Sequence, residues 1–253
     1  MNDYSADYAK YYELLTGHKN YEYEIHLLLR HLAFCGFGQS SRVLSVGCGI
    51  GSHERLLAKH VSTVTGIDQS PYMIKYGREL TNPSNLFLEN KDLTHIENAM
   101  YDVVISLFNV INCVPSGPPL ARFIKSITDK LNPRGTIILE CWNQKATIAV
   151  PPQKVVRDYS SDCVSLSRTA LPHLDSSKST LRLEYIIKGF DRDKAISIKS
   201  THELYLHSIE VIEKQLIANN FTSIKWYSAL SEGMNALADD RVQRMLLVSA
   251  TRA

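Results

Sequence analysis

The sequence predicts an α/β protein whose strands line up in a parallel sheet, and three observations carry that prediction. Apolar runs of strand length recur at 43–46, 61–67, 85–88, 102–108 and 136–140. Segments between them carry apolar residues at helical spacing, so strand and helix alternate from residue 42 to residue 140. A glycine cluster, Gly47, Gly49 and Gly51, sits where the first run turns into the first of these helices. Such sheets bind ligands at the carboxyl ends of their strands, which is where the glycines fall.

Residues 1–40 precede the sheet and are rich in tyrosine. Tyr8, Tyr11, Tyr12, Leu14 and Leu15 form one apolar cluster at helical spacing, and Ile25, Leu28, Leu29 and Leu32 form a second. Gly36 and Gly38 break the pattern. The segment reads as a helical cap, either a plain cover for the sheet or one that closes a tyrosine or two over a ligand.

The stretch 42–68, RVLSVGCGIGSHERLLAKHVSTVTGID, reads as strand, glycine turn, helix, strand and acid. Glycines let the backbone approach a ligand closely, and a helix start offers unpaired N–H groups. Asp68, about 20 residues beyond the turn, stands where a carboxylate can accept two hydrogen bonds from a ribose diol. A dinucleotide and S-adenosylmethionine (SAM) both suit this arrangement. The dinucleotide fingerprint wants its third glycine where this chain has Ser52, and the spacing here is G-x-G-x-G.

Beyond Asp68, Ser70 suits a helix N-cap and Pro71 the first turn, with Met73 and Ile74 on the apolar face. The third strand, at 85–88, runs into Glu89, Asn90, Lys91, Asp92 and Leu93. The fourth, at 102–108, is nearly all apolar and so buried on both faces, and it leads to Asn109, Asn112 and a turn at 115–119. A helix at 120–131, a turn at 132–135 and a fifth strand at 136–140 follow. From about Thr147 the pattern changes, because 155–168 and 181–202 alternate and are rich in β-branched residues, as in an antiparallel β insertion. A helix at 209–220 and strands at 221–227 and 244–250 complete the pattern. The expected organisation is a helical cap at 1–40, a cofactor-binding core at 41–146, a β insertion covering the active site at 147–206, and a C-terminal helix and hairpin at 207–253.

Composition narrows the function classes. A chain of 253 residues, 44% hydrophobic and 21% charged, has material for one full core and an insertion. A net charge of +2 predicts no steering towards nucleic acid or acidic membranes. The five cysteines are scattered and never spaced C-x-x-C, so they read as reduced thiols in a cytoplasmic protein. No signal peptide and no apolar stretch of membrane-spanning length is read. His202-Glu203 with His207 is one residue too long for a zinc H-E-x-x-H, and no metal site is expected.

The segments VLSVGCGIGSHERLLAKH, VTGIDQSPYMIKYGRE, DLT, YDVVISLFNVIN and LNPRGTIILECWN together resemble the SAM-binding core of a class I methyltransferase. The resemblance implies a Rossmann-like seven-stranded sheet with its last strand antiparallel, and SAM as cofactor. It implies that Gly47, Cys48 and Gly49 pass the methionine end of the cofactor and that Asp68 holds the ribose. Gln69 and Met73 would flank the adenine, Asp92 and Leu93 would meet its edge, and Phe108 would lie near the sulfonium. The opening YAKYYELLTGHKNYEYE is similar to that of the nucleotide-linked amino-sugar N-methyltransferases. That similarity implies Tyr12 and Tyr21 facing the cofactor, and Trp142, Arg168 and His202 as acceptor-side positions. Glu13 and Asn20 depart from it, standing where the family has aspartate. Ser45 departs as well, occupying the place two before the first glycine where the wider family usually has an acid.

Methyl transfer from a sulfonium needs positioning and exclusion of water more than side-chain chemistry. Tyr12, Asn109, Asn112 and His202 are the polar groups expected nearest the transferred methyl. The reading is a cytoplasmic SAM-dependent methyltransferase for a small molecule, with an amino sugar nucleotide as acceptor and a homodimer left open. O- or N-methylation of another metabolite, a nicotinamide-dependent oxidoreductase and a non-catalytic SAM-binding module are the alternatives. Neither nucleic acid nor membrane is an expected partner.

Overall fold

The computed structural model describes residues 5–253, so the first four residues of the expected cap lie outside it. Two helices, α1 (Ala6–Thr16) and α2 (Tyr21–Phe34), lead in. They are followed by β1 (Arg42–Val46), α3 (Ser52–Leu57), β2 (Thr63–Asp68), α4 (Pro71–Glu79), β3 (Leu86–Asn90) and β4 (Tyr101–Ser106). Next come α5 (Pro118–Lys130), β5 (Leu131–Trp142) and the short α6 (Gln144–Ala149). Strands β6 (Val155–Ser161), β7 (Val164–Asp175), β8 (Thr180–Asp191) and β9 (Lys194–Tyr205) form a second sheet, before α7 (Ile209–Ala218), β10 (Phe221–Ser228) and β11 (Met245–Arg252).

The central sheet has seven strands in the order β10-β11-β5-β4-β1-β2-β3. Strands β1 to β5 pair in parallel, while β11 runs antiparallel to both β5 and β10. This is the class I methyltransferase sheet. Side chains alternate across it, as the two-residue period of a strand requires. Leu44, Val46 and Val104 face the side covered by α5 and α7, where they pack with Ile124, Ile127 and Leu216. Val43, Val103 and Ile105 face the other side, against Leu28, Leu32 and Leu57 of α2 and α3. By the same alternation Ser45 points to the α2–α3 side. From β1 the chain works outward to β3 and then returns to β4 on the opposite flank of β1. That reversal opens a crevice above the carboxyl ends of β1 and β4.

The second sheet is an antiparallel meander in the order β6-β7-β8-β9. Helix α1 lies between it and the core. Tyr8, Tyr11 and Leu15 pack on Leu166, Ile187 and Ile198 of the meander, while Ala9 meets Ile50 and Met73 of the core. Asp191, at the end of β8, accepts from Lys10 at 2.5 Å and Tyr11 at 2.9 Å. The apolar cluster of the tyrosine-rich opening is thus divided between two sheets, with Asp7, Lys10 and Glu13 left exposed.

Local details follow the sequence in some places and depart in others. Ser70 does cap α4, its side chain accepting from Met73 N–H, with Pro71 in the first turn. Strand β5 starts at Leu131 and absorbs the expected turn at 132–135. Arg134 takes φ +64° there, and the pairing with β4 shifts register between Tyr101 and Val103. Helix α6 was not expected. It is capped by the Asn143 side chain, which accepts from Lys145 N–H.

Gly77 of α4 sits against the glycine turn, and a Cβ there would lie 2.6 Å from the Ile50 carbonyl oxygen. Gly77→Ala is therefore expected to lower the unfolding free energy by about 1–3 kcal/mol, through overpacking against rigid backbone. Gly38→Ala, with nothing within 4 Å, should leave it unchanged. Urea unfolding of the two variants checks the pair.

Candidate active site

The glycine turn is held by the end of β2. Gly47 and Cys48 donate their N–H groups to the Ile67 carbonyl at 2.8 and 3.0 Å. Gly49 donates to Asp68 Oδ2 at 2.9 Å, and Ser70 donates to Asp68 Oδ1 at 2.8 Å. Each carboxylate oxygen accepts more than one hydrogen bond, so Asp68 keeps accepting capacity on both. Burial pushes the Asp68 carboxyl above its ordinary range, against the pull of the two N–H groups. Gly47 has φ +75°, and a Cβ on it would stand 2.3 Å from Val110 Cγ2, so no other residue fits this turn.

Above the turn a cleft opens. It is lined by Gly47, Cys48 and Gly49 of the turn, by Leu107 and Phe108 after β4, and by Ser45, Ser52, His53 and Glu54 of β1 and α3. Tyr12 of α1 and Tyr21 of α2 complete the lining. The Tyr21 hydroxyl is buried there with no hydrogen-bond partner. Phe108 and Asn109 both take left-handed backbone, at φ +55° and +62°, a strained pair for residues with side chains. Glu140 of β5 holds that turn, its Oε2 accepting from Phe108 N–H at 2.8 Å. Lys19 places its ammonium 3.5 Å from the centre of the Phe108 ring and 3.1 Å from Glu24. Glu24 also pairs with His53 at 2.7 Å, with both side chains buried. Burial works to raise the Glu24 carboxyl, but His53 and Lys19 outweigh it and hold the group below its ordinary range. Cys48 is no nucleophile, because burial and then the Glu54 and Asp68 carboxylates push its thiol well up.

Of the residues singled out from sequence, Tyr12, Tyr21, Gly47, Cys48, Gly49 and Phe108 meet in this cleft. Asp68, Gln69, Met73, Asp92 and Leu93 gather beside it at the ends of β2 and β3. Gln69 donates to Asp92 Oδ2 at 2.8 Å, while Asp92 Oδ1 accepts from the Thr94 backbone and hydroxyl. Met73 and Leu93 are buried. Asn109 is next to Phe108, with its Oδ1 buried and without a hydrogen-bond partner.

Four candidates are placed elsewhere. Asn112 is fully buried and does not line the cleft. Its Oδ1 accepts from Trp142 N–H at 2.8 Å and its Nδ2 donates to the Tyr205 carbonyl at 2.8 Å, so it ties β5 to β9. His202 sits in the second sheet, its Nε2 2.7 Å from Ser200 Oγ and its ring between those of Tyr8 and Tyr185, at 5.8 and 5.2 Å. Its ring is linked towards the cleft through Tyr8, whose ring is 6.0 Å from that of Tyr12. Arg168 is in the same group, its guanidinium 5.1 Å from the Tyr159 ring and 5.3 Å from the Tyr185 ring. Trp142 belongs to a separate cluster with Leu181, Leu204 and Leu206. Sequence reading passed over Lys19, Glu24, His53, Glu54 and Glu140. The one local signal was the acid at 54, on the helix just past the glycines.

Residues 43–135 match the family model described as a methyltransferase domain. Over 228 residues the chain is 22% identical to the dTDP-3-amino-3,6-dideoxy-alpha-D-glucopyranose N,N-dimethyltransferase of Streptomyces fradiae, covering 87% of this chain and 84% of that one. It is 34% identical over 113 residues to the 2-methyl-6-phytyl-1,4-hydroquinone methyltransferase of Synechocystis sp., covering 43% of this chain and 34% of that one, so it spans about a third of that relative's length. In three dimensions it matches SAM-bound CalS10, an amino pentose methyltransferase of Micromonospora echinaspora, with a TM-score of 0.74. That match has 18% identity and covers 100% of this chain and 99% of the other, a likeness of fold. Residues 43–135 thus match a methyltransferase domain, and the chain as a whole has the fold of class I SAM-dependent methyltransferases. The cofactor of such methyltransferases is SAM, and the residues present suit it: a turn without side chains at Gly47 and Gly49, and spare acceptors on Asp68.

Asn112→Ala should leave the Trp142 N–H and the Tyr205 carbonyl unpaired, at a cost of about 1–3 kcal/mol for each buried group. Affinity for S-adenosylhomocysteine, measured on the fraction that stays folded, should not change. A loss of stability without a loss of affinity distinguishes a structural bridge from a group in the site.

Proposed function

We propose that this methyltransferase transfers a methyl group to the amine of a nucleotide-linked amino sugar. The observation that carries the reading is the position of Arg168, flanked by Tyr159 and Tyr185 on the second sheet and joined through Tyr8 to Tyr12 of the cleft. A guanidinium fork suits phosphate oxygens, and aromatic faces suit a nucleobase or a sugar. No described carboxylate pairs with Arg168, whereas Arg182 is occupied by Glu184 at 3.0 Å and Arg157 contacts His18 at 2.8 Å. The resemblance to the Streptomyces fradiae enzyme supports the same acceptor class, because it covers too much of the chain to leave out the insertion.

SAM, when bound, supplies a methyl group on a positively charged sulfur. The chain's own residues do the rest. Asp68 would accept from the ribose hydroxyls of the cofactor, and Gln69, Met73, Asp92 and Leu93 would border its adenine. Tyr12 and Tyr21 exclude water from the cleft, and Phe108 with Asn109 shapes the wall where acceptor and cofactor meet. Holding the two reactants together in a dry site is the main source of rate. An amine must be neutral to attack, so the rate at low acceptor should rise with pH until the amine has lost its proton.

Asp68→Asn removes one charged acceptor while keeping the shape of the side chain. Hydrogen bonds to charged groups contribute about 1.5–3 kcal/mol, so the affinity for S-adenosylhomocysteine should fall about tenfold or more. Calorimetry reads this, and unchanged affinity in a folded variant would overturn the cofactor placement. For the acceptor, a panel of amino-sugar nucleotides is incubated with SAM and products are followed by mass spectrometry. Methylated amino sugar is the expected outcome, with Arg168→Ala raising KM for the acceptor far more than KM for SAM. Product from phenol or carboxylate acceptors alone would overturn the amino-sugar assignment. Binding of NAD in place of SAM would overturn methyl transfer itself.

A further inference from the structure

Ser45 lies two residues before Gly47, on the face of β1 that α3 covers, and is 2% exposed. Its hydroxyl donates to Oε1 of Glu54, on α3, at 2.6 Å. Glu54 is 3% exposed, and its second oxygen, Oε2, is buried with no hydrogen-bond partner. Both residues line the cleft beside Gly47 and Leu107. A buried carboxylate left half unpaired is costly, and among the described residues no cation forms an ion pair with it, although His53 and Arg55 are near enough to act on its charge. Neighbouring His53 is engaged with Glu24, and Arg55 donates to the Ile50 carbonyl at 2.6 Å. What would complete the group is a cation arriving with a ligand.

We propose that Glu54 binds the ammonium group at the methionine end of SAM, supplying from α3 the carboxylate that β1 lacks at Ser45. The proposal rests on the SAM-binding reading above and adds a specific residue to it. Alternation along β1 and the first turn of α3 bring positions 45 and 54 within one hydrogen bond, so a carboxylate from α3 reaches the space beside Ser45. Serine at 45 is then the matching half of the pair. It is small enough to admit the glutamate and donates the hydrogen bond that fixes Oε1, leaving Oε2 for the ligand. An acid at 45 alongside Glu54 would set two carboxylates against each other in one buried space.

The test is calorimetry with S-adenosylhomocysteine and with its analogue lacking the α-amino group, on wild-type protein, Glu54→Gln and the double variant Ser45→Asp/Glu54→Leu. Glu54→Gln keeps the shape and can still accept from Ser45, so the fold should survive, as a thermal melt will check. It is expected to weaken S-adenosylhomocysteine by about tenfold or more and the deaminated analogue by less than about twofold. The double variant, with its acid moved to β1, should regain affinity to within about threefold of wild type. If it does not fold, the Glu54→Gln comparison decides alone. Equal losses for both ligands, or no loss for either, would overturn the role of Glu54 and leave the cofactor reading standing. Wild-type protein that binds neither ligand would overturn the cofactor reading as well.

Discussion

The structure depends on one carboxylate. Asp68 closes β2, and its two oxygens take one N–H from the glycine turn and one from the start of α4. The turn cannot drift from the strand end while those bonds hold, and α4 cannot move away from the turn. Gly77 on that helix is already in contact with Ile50. The glycine turn that lines the cleft is therefore set before any ligand arrives, which is the arrangement an enzyme needs when its work is mostly positioning. The spare acceptors that make Asp68 a candidate for ribose are left over from this structural task.

The second organising element is α1, which is shared by two sheets. It presents Tyr8, Tyr11 and Leu15 to the meander, Ala9 to the core, and Tyr12 to the cleft. A helix so placed links the region suited to an acceptor with the region suited to the cofactor. The link runs through the rings of Tyr8 and Tyr12 rather than through charged groups. Residues that sequence reading assigned to one site thus fall into two neighbouring groups, and His202 and Arg168 belong to the outer one.

What could be read in advance was what is local in the chain. The parallel strands announced themselves because strands buried on both faces must be apolar. The glycine turn and Asp68 could be paired because the βαβ unit fixes their spacing. Strand β5 was read too short, since Asn132-Pro133-Arg134-Gly135 has the composition of a turn and is held in the sheet only by its neighbours. Helix α6 is six residues long, too few for a periodic signal. The partners that complete the cleft lie far apart in sequence: His53 with Glu24, Phe108 with Glu140, Asn112 with Tyr205. No spacing rule links them. Glu54 is nearer, nine residues from the Ser45 hydroxyl that it accepts from, but that spacing spans a strand end, a turn and a helix start and follows no periodic rule.

The antiparallel pairing of β11 with β5 has a consequence for how the chain is made. Thr136 to Trp142 find their partners in Met245 to Thr251, with the whole meander, α7 and β10 emerging in between. While that stretch is being synthesised, β5 is an open edge with an apolar flank, the kind of surface on which a nascent chain pairs with the wrong neighbour. The four-stranded meander meets no such delay, because every strand pairs with the one made just before it. The insertion can thus form early, while the edge of β5 stays open until β11 is made.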